Sequence, residues 1–148
     1  MPNSRHGEVG GVVHYLLMSF VKPLGLGRVL VNDTFIRTGP DSYRGMDLCY
    51  VSYSRIPKHI KLPNAPIPAP PELVVEILSP SNRPGEMLQK VDEYHAVGVD
   101  VVAVVDPELE IVSVYRKDEL PQRFHNGDIF EIPDVLPGFS CPLKSLFV

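Results

Sequence analysis

Two carboxylates stand where the sequence is otherwise apolar. Glu76 interrupts Leu73-Val74-Val75 and Ile77-Leu78, and Asp47 interrupts Met46 and Leu48-Cys49-Tyr50-Val51. A run apolar on both faces is the pattern of a buried central strand. An ionised carboxylate there is costly unless it is paired, hydrogen-bonded or metal-bound. One such acid is readily satisfied by an arginine. Two on neighbouring strands repel each other, and a hard divalent cation with oxygen ligands resolves that repulsion. An ion pair and a metal site are both open readings of these residues alone.

Three further residues bear on the choice. Glu86, Lys90 and Tyr94 are spaced four apart and share one flank of a predicted helix. In isolation they read as a surface Glu–Lys pair beside a core tyrosine. That helix, however, leaves directly from the strand carrying Glu76, which puts Lys90 within reach of the carboxylate. Glu8 borders the apolar stripe of an earlier helix. It reads either as a first-turn acid favoured by the helix dipole or as a further metal-site carboxylate. Other patterns fail. His6 and His14 are eight apart, without the spacing of a helical zinc pair. Gly25-Leu26-Gly27 lacks the rest of a phosphate-binding fingerprint, and Ser79, Ser81 and Cys141 have no evident base partner.

The elements that must position these groups follow from periodicity. Val9, Val13, Leu16, Leu17 and Phe20 make one face of a helix over Gly7 to about Val21, ended by Pro23 and Gly25. Val29–Val31 and Thr34–Arg37 read as two short strands around an Asn32-Asp33 turn, and Met46–Tyr53 as another strand. Six prolines between Pro57 and Pro71 mark a stiff loop. The Leu73–Leu78 strand is followed by a second helix, with Pro84 in its first turn, Met87, Leu88, Val91 and Tyr94 facing the core, and Gly98 as its stop. Val101–Val105, Ile111–Tyr115 and Ile129–Ile132 are further strands, and Leu143–Phe147 is an apolar terminal segment. This order predicts one α/β (α+β) domain over residues 1–148, a mixed central sheet flanked by helices.

Composition sets the bounds. The chain has 148 residues, 44% of them hydrophobic and 22% charged, which is ordinary globular usage. No apolar run is long enough to span a bilayer, and no secretory signal is visible, so a cytoplasmic location is expected. Two cysteines, Cys49 and Cys141, suit a reduced compartment. The net charge of −4 argues against a simple basic nucleic-acid coat protein. Its distribution is uneven: residues 1–71 carry 8 basic and 4 acidic side chains, and residues 72–148 carry 6 and 14. That split is either a basic face for an anionic substrate or uneven solvated surface.

The same residues carry a resemblance. Arg5-His6-Gly7-Glu8-Val9, Arg44-Gly45-Met46-Asp47, the run from Glu72 to Ser81, Lys90-Val91-Asp92-Glu93-Tyr94, Val104-Val105-Asp106-Pro107 and Leu136-Pro137-Gly138-Phe139 follow one another in that order. From about Arg5 to Phe147 the chain resembles the Uma-two family of restriction-endonuclease-like proteins, within the PD-(D/E)XK nuclease superfamily. The resemblance implies a restriction-endonuclease-like core with Mg²⁺ (or Mn²⁺) in the site. It implies Asp47 and Glu76 as metal-binding acids, Lys90 as the family's displaced lysine, and Glu8 as a helix glutamate found in many superfamily members. Leu78 stands where a lysine two residues after the glutamate is usual, and Met46 where a proline is usual. Members usually begin with an additional helix and a strand pair before the segment matching Arg5. Either Met1 is an internal methionine or this member is shortened, and a missing edge element is expected to expose apolar sheet and favour aggregation or pairing as a homodimer.

The function expected from this resemblance is metal-dependent hydrolysis of phosphodiester bonds in DNA. Asp47, Glu76 and Lys90 would be catalytic, and Glu8 would add a carboxylate to the metal. Arg37, Arg44 and Arg55, with Lys58 and Lys61, are candidate phosphate contacts because the aspartate lies among them. Two rivals use the same fold: a non-catalytic DNA-binding or assembly module, and a hydrolase of some other phosphoester.

Overall fold

The computed structural model describes residues 3–148. Its elements are α1 (Ser4–Val21), β1 (Gly27–Arg37), β2 (Tyr43–Ser52), β3 (Leu73–Ile77), α2 (Pro84–Ala96), β4 (Val101–Asp106), β5 (Ile111–Arg116), β6 (Gln122–Phe124), β7 (Ile129–Glu131) and β8 (Ser140–Pro142). A 3₁₀ turn, Leu143–Phe147, closes the chain. Six strands form one sheet in the order β1-β2-β3-β4-β5-β6, and β7 pairs with β8 in a small second sheet. Within the large sheet β3 and β4 are parallel and every other neighbouring pair is antiparallel. The parallel pair needs a crossover, and α2 supplies it. The fold is therefore the expected mixed α+β sheet flanked by helices.

Each face of the sheet has its own core. Val9, Val13 and Leu17 of α1 pack with Leu73, Val75 and Ile77 of β3 and with the terminal segment. On the other face Met87, Val91 and Tyr94 of α2 pack with Met46, Cys49, Val74 and Val102. All five β3 residues are buried, as the doubly apolar run predicted. Alternation then sends Glu76, like Val74, toward α2. Pro84 stands at the start of α2 and Gly98 follows its end at φ 106°, a conformation glycine adopts without strain.

Three expectations are corrected. Asn32-Asp33 is no hairpin turn: it sits inside the single long strand β1, with φ of 58° and 56°. The register moves from Val31↔Leu48 to Thr34↔Met46, so two residues of β1 oppose Asp47 alone. Asn and Asp tolerate left-handed backbone in a bulge as they do in a turn, so the local signal is the same. Leu88 is exposed rather than buried, lying on the solvent side of α2. The first helix begins at Ser4, not Gly7, because Asn3 Oδ1 accepts the His6 N–H at 2.9 Å as an N-cap. Two strands lie outside the predicted elements, β6 and β8, each of three residues and too short to show a period.

The proline-rich loop lies along the sheet edge. Ile67 N–H donates to the Phe35 carbonyl of edge strand β1 at 2.9 Å. No described helix is long and apolar enough to cross a membrane.

Candidate active site

The β2–β3 ladder runs from Tyr50↔Leu73 to Leu48↔Val75 and ends there. The next main-chain amides need other acceptors, and the two acids supply them. Asp47 N–H donates to Glu76 Oε2 at 3.1 Å, and Ile77 N–H donates to Asp47 Oδ2 at 2.8 Å. The β1 bulge faces Asp47 at the same point, so the strands part where the carboxylates meet. Asp47 and Glu76 are thus neighbours, as expected.

From the α2 side, two groups one helical turn apart reach a single oxygen. Lys90 Nζ lies 2.5 Å from Glu76 Oε1, and the Tyr94 hydroxyl donates to that same atom at 2.7 Å. Glu76 is 1% exposed. Burial pushes its carboxyl above the ordinary value; Lys90 opposes the rise and the charge of Asp47 adds to it. Burial, with the Glu76 charge behind it, also raises the Tyr94 phenol, so its hydroxyl stays a donor. The expected Lys90–Glu76 approach is present.

The α1 side differs from expectation. Glu8 is exposed and pairs with Arg5 at 2.7 Å, so the structure does not bring it to the acids. His6 stands there instead, its Nε2 3.3 Å from Asp47 Oδ2. The earlier helix start brings His6 into α1, on the inward face with Gly10, Val13 and Leu17, whereas the spacing of Glu8 from Val9 and Val13 sets it off that face. His6 and Tyr94 are the neighbours that sequence reasoning missed. Tyr94 was visible only as a core tyrosine one turn beyond Lys90.

One cleft reaches Asp47 and another reaches Lys90. The first, of about 430 Å³, runs between α1 and the β1 bulge, lined by His6, His14, Asn32 and Asp33 with Asp47 at its base. The second, of about 340 Å³, holds Lys90 with Arg44 and Glu86. An all-apolar cavity of about 10 Å³ by Leu17, Val75 and Phe130 is core packing, far too small for a ligand.

Four of the basic residues expected to meet phosphate, Arg37, Arg44, Arg55 and Lys58, are engaged within the chain. Arg44 forms a two-point pair with Glu93, at 2.7 and 3.2 Å. Arg55 binds Asp100 and the carbonyls of Pro70 and Gly98, pinning the proline-rich loop. Arg37 donates to the carbonyls of Gly39 and Pro40, and Lys58 sits over the Tyr53 ring. Of these, Arg44 alone lines a cleft at the site.

Among the described residues, no three His, Cys, Asp or Glu side chains are arranged to hold a metal. The donor chemistry nonetheless suits Mg²⁺, which is commonly held by one or two carboxylates and keeps several waters. Asp47 Oδ1 accepts no hydrogen bond from any described residue, and Glu76 Oε2 accepts one. Two carboxylates beside one ammonium also leave a negative excess that a cation would offset.

Comparison with known proteins bears on the fold and the family. No curated protein matches the chain. Among solved structures it is similar to the crystal structure of "a putative nuclease belonging to DUF820" from Anabaena variabilis ATCC 29413. The TM-score is 0.84 at 23% identity, over 99% of this chain and 82% of that one, a likeness of fold. The Uma2 family, described as "Putative restriction endonuclease", matches residues 1–144. With nearly its whole length matched, and with the motifs from Arg5 to Phe139 in order, the chain belongs to the Uma2 family of restriction-endonuclease-like proteins.

Proposed function

We propose that the protein is a divalent-cation-dependent endonuclease that hydrolyses phosphodiester bonds in DNA. The observation that carries the proposal is the meeting of Asp47, Glu76 and Lys90 where β2 and β3 part. A nuclease family supports a nucleic-acid substrate.

Asp47 and Glu76 would hold Mg²⁺, with Mn²⁺ as a substitute. The bound ion supplies Lewis-acid polarisation of the scissile phosphate and acidifies a coordinated water. Lys90, on the cleft side of Glu76, orients the attacking water and offsets charge developing on the phosphate. His6 steadies Asp47 from the cleft side.

The test is plasmid cleavage with Mg²⁺ by the wild type, Glu76→Ala and Lys90→Ala. Cleavage by the wild type alone is expected. Equal activity in all three would overturn the assignment. No cleavage by the wild type with either ion, on duplex or single-stranded DNA, would favour a non-catalytic module instead.

A further inference from the structure

We propose that Tyr94 is a positioning residue of this site: with Lys90 it pins Glu76 Oε1, and so leaves Oε2 as the oxygen offered to the cation. The inference rests on the metal-dependent reading above. Terminal carboxylate torsions are broad, so a buried glutamate has no intrinsic preference for which oxygen faces which way. Here both donors from α2 fall on Oε1, and among the described residues the only hydrogen bond to Oε2 comes from the Asp47 amide.

The two donors are not equivalent. Lys90 is a flexible arm, 23% exposed at its side chain, at the wall of a cleft. Tyr94 is fully buried, its ring fixed among Met46, Val91, Val99 and Val102. A buried hydroxyl is costly unless it has a partner, and phenylalanine would fill the same apolar space without one. The oxygen that Lys90 contacts is therefore also held by a group that cannot leave. When Lys90 turns toward the substrate phosphate, Tyr94 keeps Glu76 from rotating. Lys90 is free for chemistry because Tyr94 is not.

The experiment is calorimetric titration of Mg²⁺ into the wild type, Tyr94→Phe, Tyr50→Phe and Glu76→Ala, with thermal midpoints of the metal-free chains. Tyr50 is a buried tyrosine on the opposite face of the sheet, so its variant controls for loss of a hydroxyl alone. Tyr94→Phe is expected to weaken Mg²⁺ about tenfold or more, the usual effect of removing a group that orients a ligand. Tyr50→Phe should match the wild type, and Glu76→Ala should not bind. In cleavage assays Tyr94→Phe should raise the half-saturating Mg²⁺ concentration and leave KM for DNA unchanged. Wild-type Mg²⁺ affinity in Tyr94→Phe overturns the positioning role alone. Absence of binding by the wild type, or undiminished binding by Glu76→Ala, overturns the metal site and this inference together. A Tyr94→Phe chain that does not fold would make the tyrosine structural and also overturn it.

Discussion

The amide of Asp47 donates to Glu76 Oε2 at 3.1 Å, while the carboxylate of Asp47 accepts the next free amide of β3, that of Ile77, at 2.8 Å. The acids thus replace two rungs of the sheet ladder, and Asp47 also faces a cleft. Their loss should therefore be felt in folding and in chemistry, and the two effects should separate by substitution.

Asp47→Asn keeps an oxygen for the Ile77 amide and removes the charge. It should stay within about 1 kcal/mol of the wild type in stability, whereas Asp47→Ala should cost about 1–3 kcal/mol for the unpaired amide. Both should lose metal affinity. Denaturant titration and calorimetry, run side by side, check this.

Lys90→Met strands a buried carboxylate. Without the ammonium, Glu76 titrates still further above its ordinary value of 4.5. Such a group contributes stability below the unfolded value that is lost as pH rises through the folded one. The deficit of Lys90→Met should therefore be small near pH 4 and reach about 3 kcal/mol at neutral pH. Urea melts across that range measure it, and a deficit that shrinks as pH rises would refute it.

Glu93 has the opposite sign. Its hydrogen bonds with Arg44 hold its carboxyl below 4.5, so the pair stabilises above that pH and fails as pH falls through the depressed value. Arg44→Met should cost about 1 kcal/mol at pH 7, the pair being partly exposed, and that cost should vanish once pH has fallen through the depressed value. Arg55→Met should cost about 1–3 kcal/mol and open residues 57–71 to protease, since its acceptors tie down that loop. DNA affinity, measured with catalytically dead protein, should fall less for Arg55→Met than for a cation lining a cleft.

Some of this was legible in the residues and some was not. Glu76 stood out because β3 has no exposed face, so its period had no place for an acid. Lys90 followed from the strand–helix connection. Asn32-Asp33 was misread because left-handed backbone serves a turn and a bulge alike, and only the length of the paired β2 decides between them. His6 was out of view because the predicted helix began after it; the Asn3 cap starts the helix at Ser4 and so sets His6 on the face of Gly10, Val13 and Leu17, while Glu8 lies off that face wherever the helix begins. Tyr94 hid because a hydroxyl bonded to a buried acid and a simple core filler leave the same trace in a sequence.

His6→Ala should lower cleavage about tenfold or more by freeing Asp47, as losses of orienting partners commonly do. His6→Gln, which can place a donor near the same position, should recover part of that loss. Thermal midpoints of both should lie close together, so that the difference reports on Asp47 rather than on folding.

The most direct measurement is anomalous scattering from crystals soaked in Mn²⁺. A peak between the carboxylates of Asp47 and Glu76, absent in Glu76→Ala, is the predicted result. Mn²⁺ bound elsewhere, or no peak at saturating Mn²⁺, would contradict the metal-dependent site.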